Sequence, residues 1–444
     1  MKRRRHSRYG FPMDQSVSIS PAGLEAGSAR RAPLSMQTRM VVLSYLAYFF
    51  YYFTRKHLGV ATGALIDAGY SKQLIGDANF GFSLLYMIGQ GVSGYLGDRI
   101  GPRITICAGM ILSALATLAF GVFPLMGLLI VTYTLNGFFQ ATGWSNTCKV
   151  VSSWVSPLKR GRVMGFWLTC YIFGSLSATA LAGWTVQHYG WKHLFQAAGL
   201  IVLVVGIVQG LFLINRPKDA GYDEEEDDIR PGATRQPEAR EKSFSEVIRH
   251  PSVLLLGISY TGIKFIRYTF FAWLPLYLRE VAKAGNDTAA YTSLAFEIGG
   301  VIGLLPSGYI AARWFPDNRT RLAFVALLIM TLVVVLYRQL GGAAGSNLFA
   351  HGMGLAGIGA FLYIADSIVS GTAAQDLGGA AKTASVAGVI NGIGSIGALC
   401  SAKVPIWLEE RWGWDSIFVA FIVISIVSCI AIAPVAFKKR LDPI

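Results

Sequence analysis

The stretch Tyr-Tyr-Phe-Thr-Arg-Lys-His-Leu at 51–58 closes an apolar run that begins near Met40, and it places Arg55 and Lys56 inside a segment suited to lipid. An arginine near the middle of a bilayer costs at least about 2.5–3.5 kcal/mol on insertion scales, so it must face a wet cavity or a partner. Arg267, in Ile-Arg-Tyr-Thr-Phe-Phe-Ala-Trp, stands in the same kind of surroundings, and Lys264 lies three residues before it on the same helical face. Guanidinium groups are permanently charged and donate paired hydrogen bonds from a planar fork, which fits them to hold the oxygens of an anion. Two acids, Glu297 and Asp366, fall inside the same half of the chain as Arg267. They offer partners for a base, acceptors for hydroxyl groups, or sites for proton coupling.

The elements that must position these residues are membrane helices. The chain has 444 residues, of which 53% are hydrophobic and only 14% charged, too apolar a balance for a soluble protein of this length. Apolar runs long enough to span about 30 Å of hydrocarbon recur near 40–62, 78–98, 104–122, 126–148, 164–186 and 194–214. A second series follows near 252–277, 289–311, 322–339, 346–370, 384–404 and 414–437. The reading is an all-α integral membrane protein with twelve transmembrane helices in two pseudo-symmetric six-helix bundles. Its parts are a basic tail at 1–39, bundles at 40–214 and 252–437, a linker at 215–251 and a short tail at 438–444. The basic start lacks a following apolar core, so no cleaved secretory signal is expected.

Basic residues collect before the first span, at 98–103, 156–162, 215–250, 316–321 and 437–440. With twelve spans all of these fall on one side, and the positive-inside rule makes that side, with both termini, cytoplasmic. The net charge of +14 follows from this distribution, and no soluble basic face for nucleic acid is visible. The five cysteines show no metal or disulfide spacing, and neither a metal nor a cofactor is expected. The acidic run 223–228 reads as part of a solvated linker.

The halves carry an internal repeat. Gly-Tyr-Leu-Gly-Asp-Arg-Ile-Gly-Pro-Arg starts 39 residues after Arg55, at Gly94, and Gly-Tyr-Ile-Ala-Ala-Arg starts 41 residues after Arg267, at Gly308. Each half therefore sets a membrane arginine at nearly the same place, and repeats related by an axis along the membrane normal put a substrate site at their interface. Two converging arginines make one positively charged pocket. Gly94 and Gly97 are expected to allow close helix approach. Asp98 is expected to cap a helix start and to pair with a base across the seam, with Arg99 and Arg103 beside it, so that the motif gates and orients.

The two-block layout and GYLGDRIGPR resemble the major facilitator superfamily. Within it, YFTRK (52–56), FFQATGW (138–144), SPLKRGRVMGFW (156–167), HYGW (188–191), IRYTFFAWLPLYLREV (266–281) and FEIGGVIG (296–303) resemble the organophosphate:inorganic phosphate antiporter family, which includes glycerol-3-phosphate and hexose-6-phosphate transporters and a hexose-phosphate sensor. The likeness runs from about Arg39 to Lys439 and leaves out the linker. It implies that Arg55 and Arg267 are a phosphate-binding pair, one from the first helix of each half, in agreement with the repeat. It also implies that Glu297 matches a family position, whereas Asp366 carries nothing over.

Several positions depart from the family pattern. Tyr171 stands where well-studied members often have a histidine, Gln90 where several have a lysine, Ala272 where others have an aspartate, and Ser145 and Asn146 replace a pair of prolines. These changes imply an altered ligand with the phosphate anchor kept. The substrate-binding candidates are Arg55, Arg267, Lys264, Tyr171, Tyr52, Trp144, Gln140, Glu297, Tyr363 and Asn391; the gating candidates are Gly94, Asp98, Arg99 and Arg103. Lys264 is expected either to donate to the anion or to be neutralised by Glu297 or Asp366. The expected activity is exchange of a small phosphate ester for inorganic phosphate by a functional monomer in a cell membrane, a bacterial inner membrane in this reading. A sugar-phosphate sensor for a histidine kinase and a proton-coupled symporter are the alternatives. No phosphate-binding loop for ATP is present and no catalytic constellation is readable, so enzymatic activity is not expected.

Overall fold

The computed structural model describes residues 32–155, 163–223 apart from Gly165 and Leu168, 244–345, 347–439 and Leu441. The basic run 156–162, most of the acidic run and most of the linker lie outside the described residues. What is described is almost wholly helical. The first half contains α1 (Leu34–Tyr51), α2 (Phe53–Asp67), α3 (Lys72–Arg99), α4 (Pro102–Val122), α5 (Met126–Gln140), α6 (Thr142–Trp154), α7 (Thr169–Tyr189) and α8 (Trp191–Phe212). The second contains the short α9 (Phe244–Arg249), then α10 (Pro251–Val281), α11 (Asn286–Trp314), α12 (Thr320–Ala344), α13 (Leu348–Ser367), a π-helical turn at Ile368–Thr372, α14 (Ala373–Cys400), α15 (Val404–Trp412) and α16 (Asp415–Ala436). Among the described residues, seven helical stretches are long and apolar enough to cross a membrane. The others fall short on length or hydropathy, and α2, α5 and α10 among them carry Arg55, Gln140 and Arg267.

In lipid the tails are as apolar as the side chains, so helices are joined by close packing and polar contacts rather than by hydrophobic driving force. The chain meets this with glycine. In the first half α3 packs on α5, and a Cβ on Gly137 would strike the Phe82 carbonyl; in the second, α11 packs on α13, and a Cβ on Gly303 would strike the Ala360 carbonyl. These seams occupy equivalent places in the two halves. In the GYLGDR motif the expectation is corrected at two points. Space is open around Gly94, and only Gly97 lies under a neighbour, the Asn146 side chain of α6. The backbone of Asp98 belongs to the last turn of α3, so it caps no helix start; α4 begins after Gly101, whose φ of 88° suits glycine alone. The Asp98 side chain lies outside the described ones. Arg103 ties α4 to the end of α8, donating from its backbone N–H to Asn215 Oδ1 at 2.8 Å and from Nε to the Gly210 carbonyl at 2.8 Å. Arg99 lies over the Tyr95 ring, with 4.8 Å from its guanidinium carbon to the centroid.

The two halves meet along α2 with α10, α7 with α11, and α3 with α14. At the end of the molecule away from the basic loops, charged side chains close this seam. Lys72 bridges Glu280 and Glu409 at 3.0 and 3.1 Å, Asp67 pairs with Arg279, Asp77 pairs with Lys403, and Trp414 donates its indole N–H to Glu280 at 2.8 Å. Burial disfavours the Lys72 ammonium, but hydrogen bonds to the two carboxylates outweigh it and raise the pKa above the ordinary lysine value.

Gly303→Val, which drives a side chain into a carbonyl that cannot yield, is expected to cost about 1–3 kcal/mol or to prevent folding. Gly94→Ala, in open space, is expected to leave the melting temperature of the detergent-purified protein within error of wild type. Thermal unfolding of both variants checks the contrast.

Candidate functional site

Arg55 sits three residues past a break between α1 and α2. There the Arg55 N–H bonds the Tyr52 carbonyl at 3.1 Å instead of the carbonyl four residues back, which leaves the Tyr51 carbonyl without its helical partner. Gln140 Nε2 supplies the missing donor at 3.0 Å, and one face of α5 covers the exposed backbone: Asn136 Nδ2 donates to the Thr54 carbonyl at 2.6 Å and the Tyr133 hydroxyl to the Arg55 carbonyl at 3.2 Å. The same Gln140 accepts from Arg55 Nε through Oε1 at 3.1 Å. Three tyrosine rings, Tyr52, Tyr86 and Tyr48, surround the guanidinium carbon at 4.9, 5.0 and 5.9 Å. These are cation–π contacts, which stabilise charge without cancelling it. Arg55 makes no ion pair among the described residues, and its Nη2 is buried with no hydrogen-bond partner. The guanidinium is thus held in place and left electrically uncompensated.

Lys56, one residue on, points about 100° further round the helix and reaches the other half. Its ammonium lies 2.5 Å from Glu297 Oε1, with both side chains less than a tenth exposed, and 3.8 Å from the centre of the Phe271 ring. Ser175 of α7 donates to the same Glu297 oxygen at 2.8 Å. One carboxylate therefore joins α2, α7 and α11 across the seam. Lys56 is the functional residue that sequence reasoning left without a role; its signal was adjacency to Arg55 at membrane depth.

Arg267 departs from expectation. Its Nη1 donates to Asp366 Oδ2 at 2.9 Å, and its guanidinium lies 4.5 Å from the centre of the Tyr363 ring. The two arginines of the repeat are therefore not equivalent: one is free of carboxylate and the other is paired. For Lys264, direct neutralisation by Glu297 or Asp366 is not what the structure shows, since its direct partners are not acids. Its ammonium donates to Asn391 Oδ1 at 2.6 Å, to Ser395 Oγ at 3.2 Å and to the Asn391 carbonyl at 3.3 Å.

A narrow cavity between the halves is lined by Lys56, Arg267, Ser293, Glu297, Tyr363 and the rings around them. Tyr52 and Tyr268 each lie within electrostatic reach of both arginines. Tyr171 is partly buried and within reach of Arg267, Asp366 and Glu297. Of the expected residues, Arg267, Glu297 and Tyr363 line the cavity, Tyr52, Lys264 and Tyr171 lie within electrostatic reach of Arg267, and Arg55 lies against the Tyr52 ring. Two of the expected ligands are better described as supports. Gln140 is fully buried, with its oxygen on Arg55 and its amide on Tyr51, Thr54 and Ser113, and Asn391 spends its oxygen on Lys264. Trp144 packs against Tyr48 and Trp167, with ring centres at 5.3 and 5.8 Å, rather than on a charged group. Asp366 and Tyr86 join the site; the tyrosine had no sequence signal beyond being one aromatic residue among many.

The cluster holds four cations, Arg55, Lys56, Lys264 and Arg267, against two carboxylates, Glu297 and Asp366, and so carries two positive charges more than it cancels. Among the described residues no group of His, Cys, Asp and Glu has the arrangement of a metal site.

Sequence and fold comparisons agree with this architecture. The mouse glucose-6-phosphate exchanger SLC37A2 is 29% identical over 83% of this chain and 80% of its own length. An Arabidopsis thaliana protein named "Putative glycerol-3-phosphate transporter 5" is 28% identical over 87% of this chain and 88% of its own. The crystal structure of a bacterial homologue of the human lysosomal transporter Spinster, inward-facing and occupied, superposes with a TM-score of 0.74 over 93% of this chain and 100% of that one at 15% identity, a likeness of fold. The description of the Major Facilitator Superfamily matches residues 44–402. The chain is a multi-pass membrane protein that belongs to the Major Facilitator Superfamily of transporters, not to an enzyme family.

Proposed function

We propose that the protein exchanges a small phosphate ester, of the hexose-6-phosphate or glycerol-3-phosphate type, for inorganic phosphate by alternating access. The observation that carries this reading is the double positive excess gathered where the halves meet. A doubly ionised phosphate cancels that excess, and two arginine forks match its oxygens. The relatives' names, a glucose-6-phosphate exchanger and a glycerol-3-phosphate transporter, support the same class of cargo.

Cargo binding and movement are linked through charge. In the empty carrier the excess makes passage of the site across the barrier costly, because like charges in a poorly screened interior repel strongly. Loaded with a dianion the site is neutral, and one six-helix bundle can rock against the other. The Lys56–Glu297 pair crosses the seam between the halves, so they separate there only when the ammonium and carboxylate find other partners. The ionic seal at Lys72, Arg279 and Lys403 lies opposite the basic loops; we take the basic side, with both termini, as cytoplasmic by the positive-inside rule, and the seal then faces outward. A single chain carries the complete cluster and is the transport unit, in a cell membrane that we take to be a bacterial inner membrane.

Counterflow in proteoliposomes tests the reading. Labelled phosphate is expected to enter vesicles loaded with inorganic phosphate and to be competed by hexose and glycerol phosphates; a protein that binds these esters without flux is a sensor, and uptake that follows a pH gradient regardless of internal phosphate marks a symporter. Arg55→Lys removes the fork and keeps the charge, and phosphate affinity is expected to fall about tenfold to a hundredfold, the worth of a charge-assisted hydrogen bond or two. Glu297→Gln leaves Lys56 buried without its partner, a loss of about 3–5 kcal/mol in such pairs. It is expected to lower both thermal stability and exchange rate, whereas Glu297→Asp recovers part of each.

A further inference from the structure

The unequal treatment of the two arginines is unexplained by the exchange reading alone. Arg55 waits with an unpartnered Nη2, whereas Arg267 is held by Asp366. Only one oxygen of that carboxylate is used: Oδ1 is buried and has no hydrogen-bond partner. Asp366 sits at the end of α13, where the helix opens into the π-helical turn Ile368–Thr372, and its own carbonyl accepts from Ser370 Oγ at 2.7 Å. Such wide turns are local departures from the regular ladder that recur at functional sites. One turn along α10 from Arg267, the Lys264 ammonium is held by neutral groups only, Asn391 and Ser395, and Asp366 is a carboxylate whose field it feels.

We propose that Asp366 is an exchangeable counter-ion: it masks Arg267 in the empty carrier, gives the guanidinium up to the phosphate of the arriving cargo, and turns to Lys264. The inference rests on the phosphate-exchange reading of the same site. Three groups make the hand-over possible. Arg267 has a second guanidinium edge with which to begin contact with the cargo, Asp366 has a spare oxygen to begin contact with Lys264, and Lys264 lacks a carboxylate of its own. A dianion seated on Arg267 also repels the carboxylate beside it, which drives the step in one direction. Arg55, with no mask, makes the first contact, and Arg267 follows. The carboxylate thereby lowers the apparent affinity of the pocket, as any site is weakened when its binding-competent form is only fractionally populated, and keeps the empty cavity from carrying a third uncancelled charge.

Binding of inorganic phosphate to purified full-length protein in detergent, measured calorimetrically, tests the proposal. Asp366→Asn unmasks Arg267 and is expected to tighten phosphate binding by about tenfold, roughly the worth of one charge-assisted hydrogen bond; a structural strut would give weaker or unchanged binding on removal, and that result overturns the inference. Lys264→Gln is expected to weaken binding about fivefold, because the displaced carboxylate loses its destination, and to have no effect when Asp366 is already Asn. Unchanged affinity in Lys264→Gln overturns the hand-over even if Asp366→Asn does not fold, and the same loss in both backgrounds overturns it where that variant folds. Wild-type protein that binds no phosphate overturns the exchange reading, and this inference with it.

Discussion

Four cations held against two carboxylates in the apolar interior of a membrane protein are the constraint on which the other features depend. Burying unbalanced charge is unfavourable unless something recovers the cost, and this chain recovers it with π faces, amide oxygens and ion pairs that hold the cations without cancelling them all. The Gln140 amide and the tyrosine rings around Arg55 are such partners. They fix the guanidinium in one geometry and leave its charge available to a ligand.

The fold is arranged around that charge. The break between α1 and α2 frees a carbonyl that Gln140 then occupies, so a local fault in a helix ladder becomes the fixture that aims Arg55. Glycine seams at Gly137 and Gly303 bring α3 against α5 and α11 against α13 within backbone contact, giving each half a rigid body on which a cation can be placed reproducibly. Between these bodies run contacts of another kind: the Lys56–Glu297 pair at the centre and the Lys72, Arg279 and Lys403 pairs at one end. Rigid halves joined by exchangeable ionic contacts are what a rocking mechanism requires.

Much of this was legible in the sequence because lipid makes polar residues conspicuous. Arg55, Lys264, Arg267 and Glu297 stood out against apolar runs, and the repeat in GYLGDR and GYIAAR aligned the two arginines. The pairing of these charges was not legible. Nothing along the chain says that Lys56 rather than Lys264 meets Glu297, since that depends on which way adjacent residues point from a helix broken at Tyr52. Likewise Gln140 and Asn391 look like ligands by type and depth, and only the packing shows that their amide oxygens are engaged by Arg55 and Lys264. The GYLGDR glycines mislead for the same reason: Gly97 touches a neighbour and Gly94 does not, a difference of position around one helix.

The central claim, that the excess charge binds the empty carrier in place and the loaded one moves, is tested most directly by efflux. Proteoliposomes loaded with labelled phosphate are diluted into buffer with or without external phosphate, and the rate of label loss is compared. Obligatory exchange requires rapid loss only when phosphate is present outside; equal rates under both conditions would mean that the uncompensated site crosses unaided, and would contradict the account.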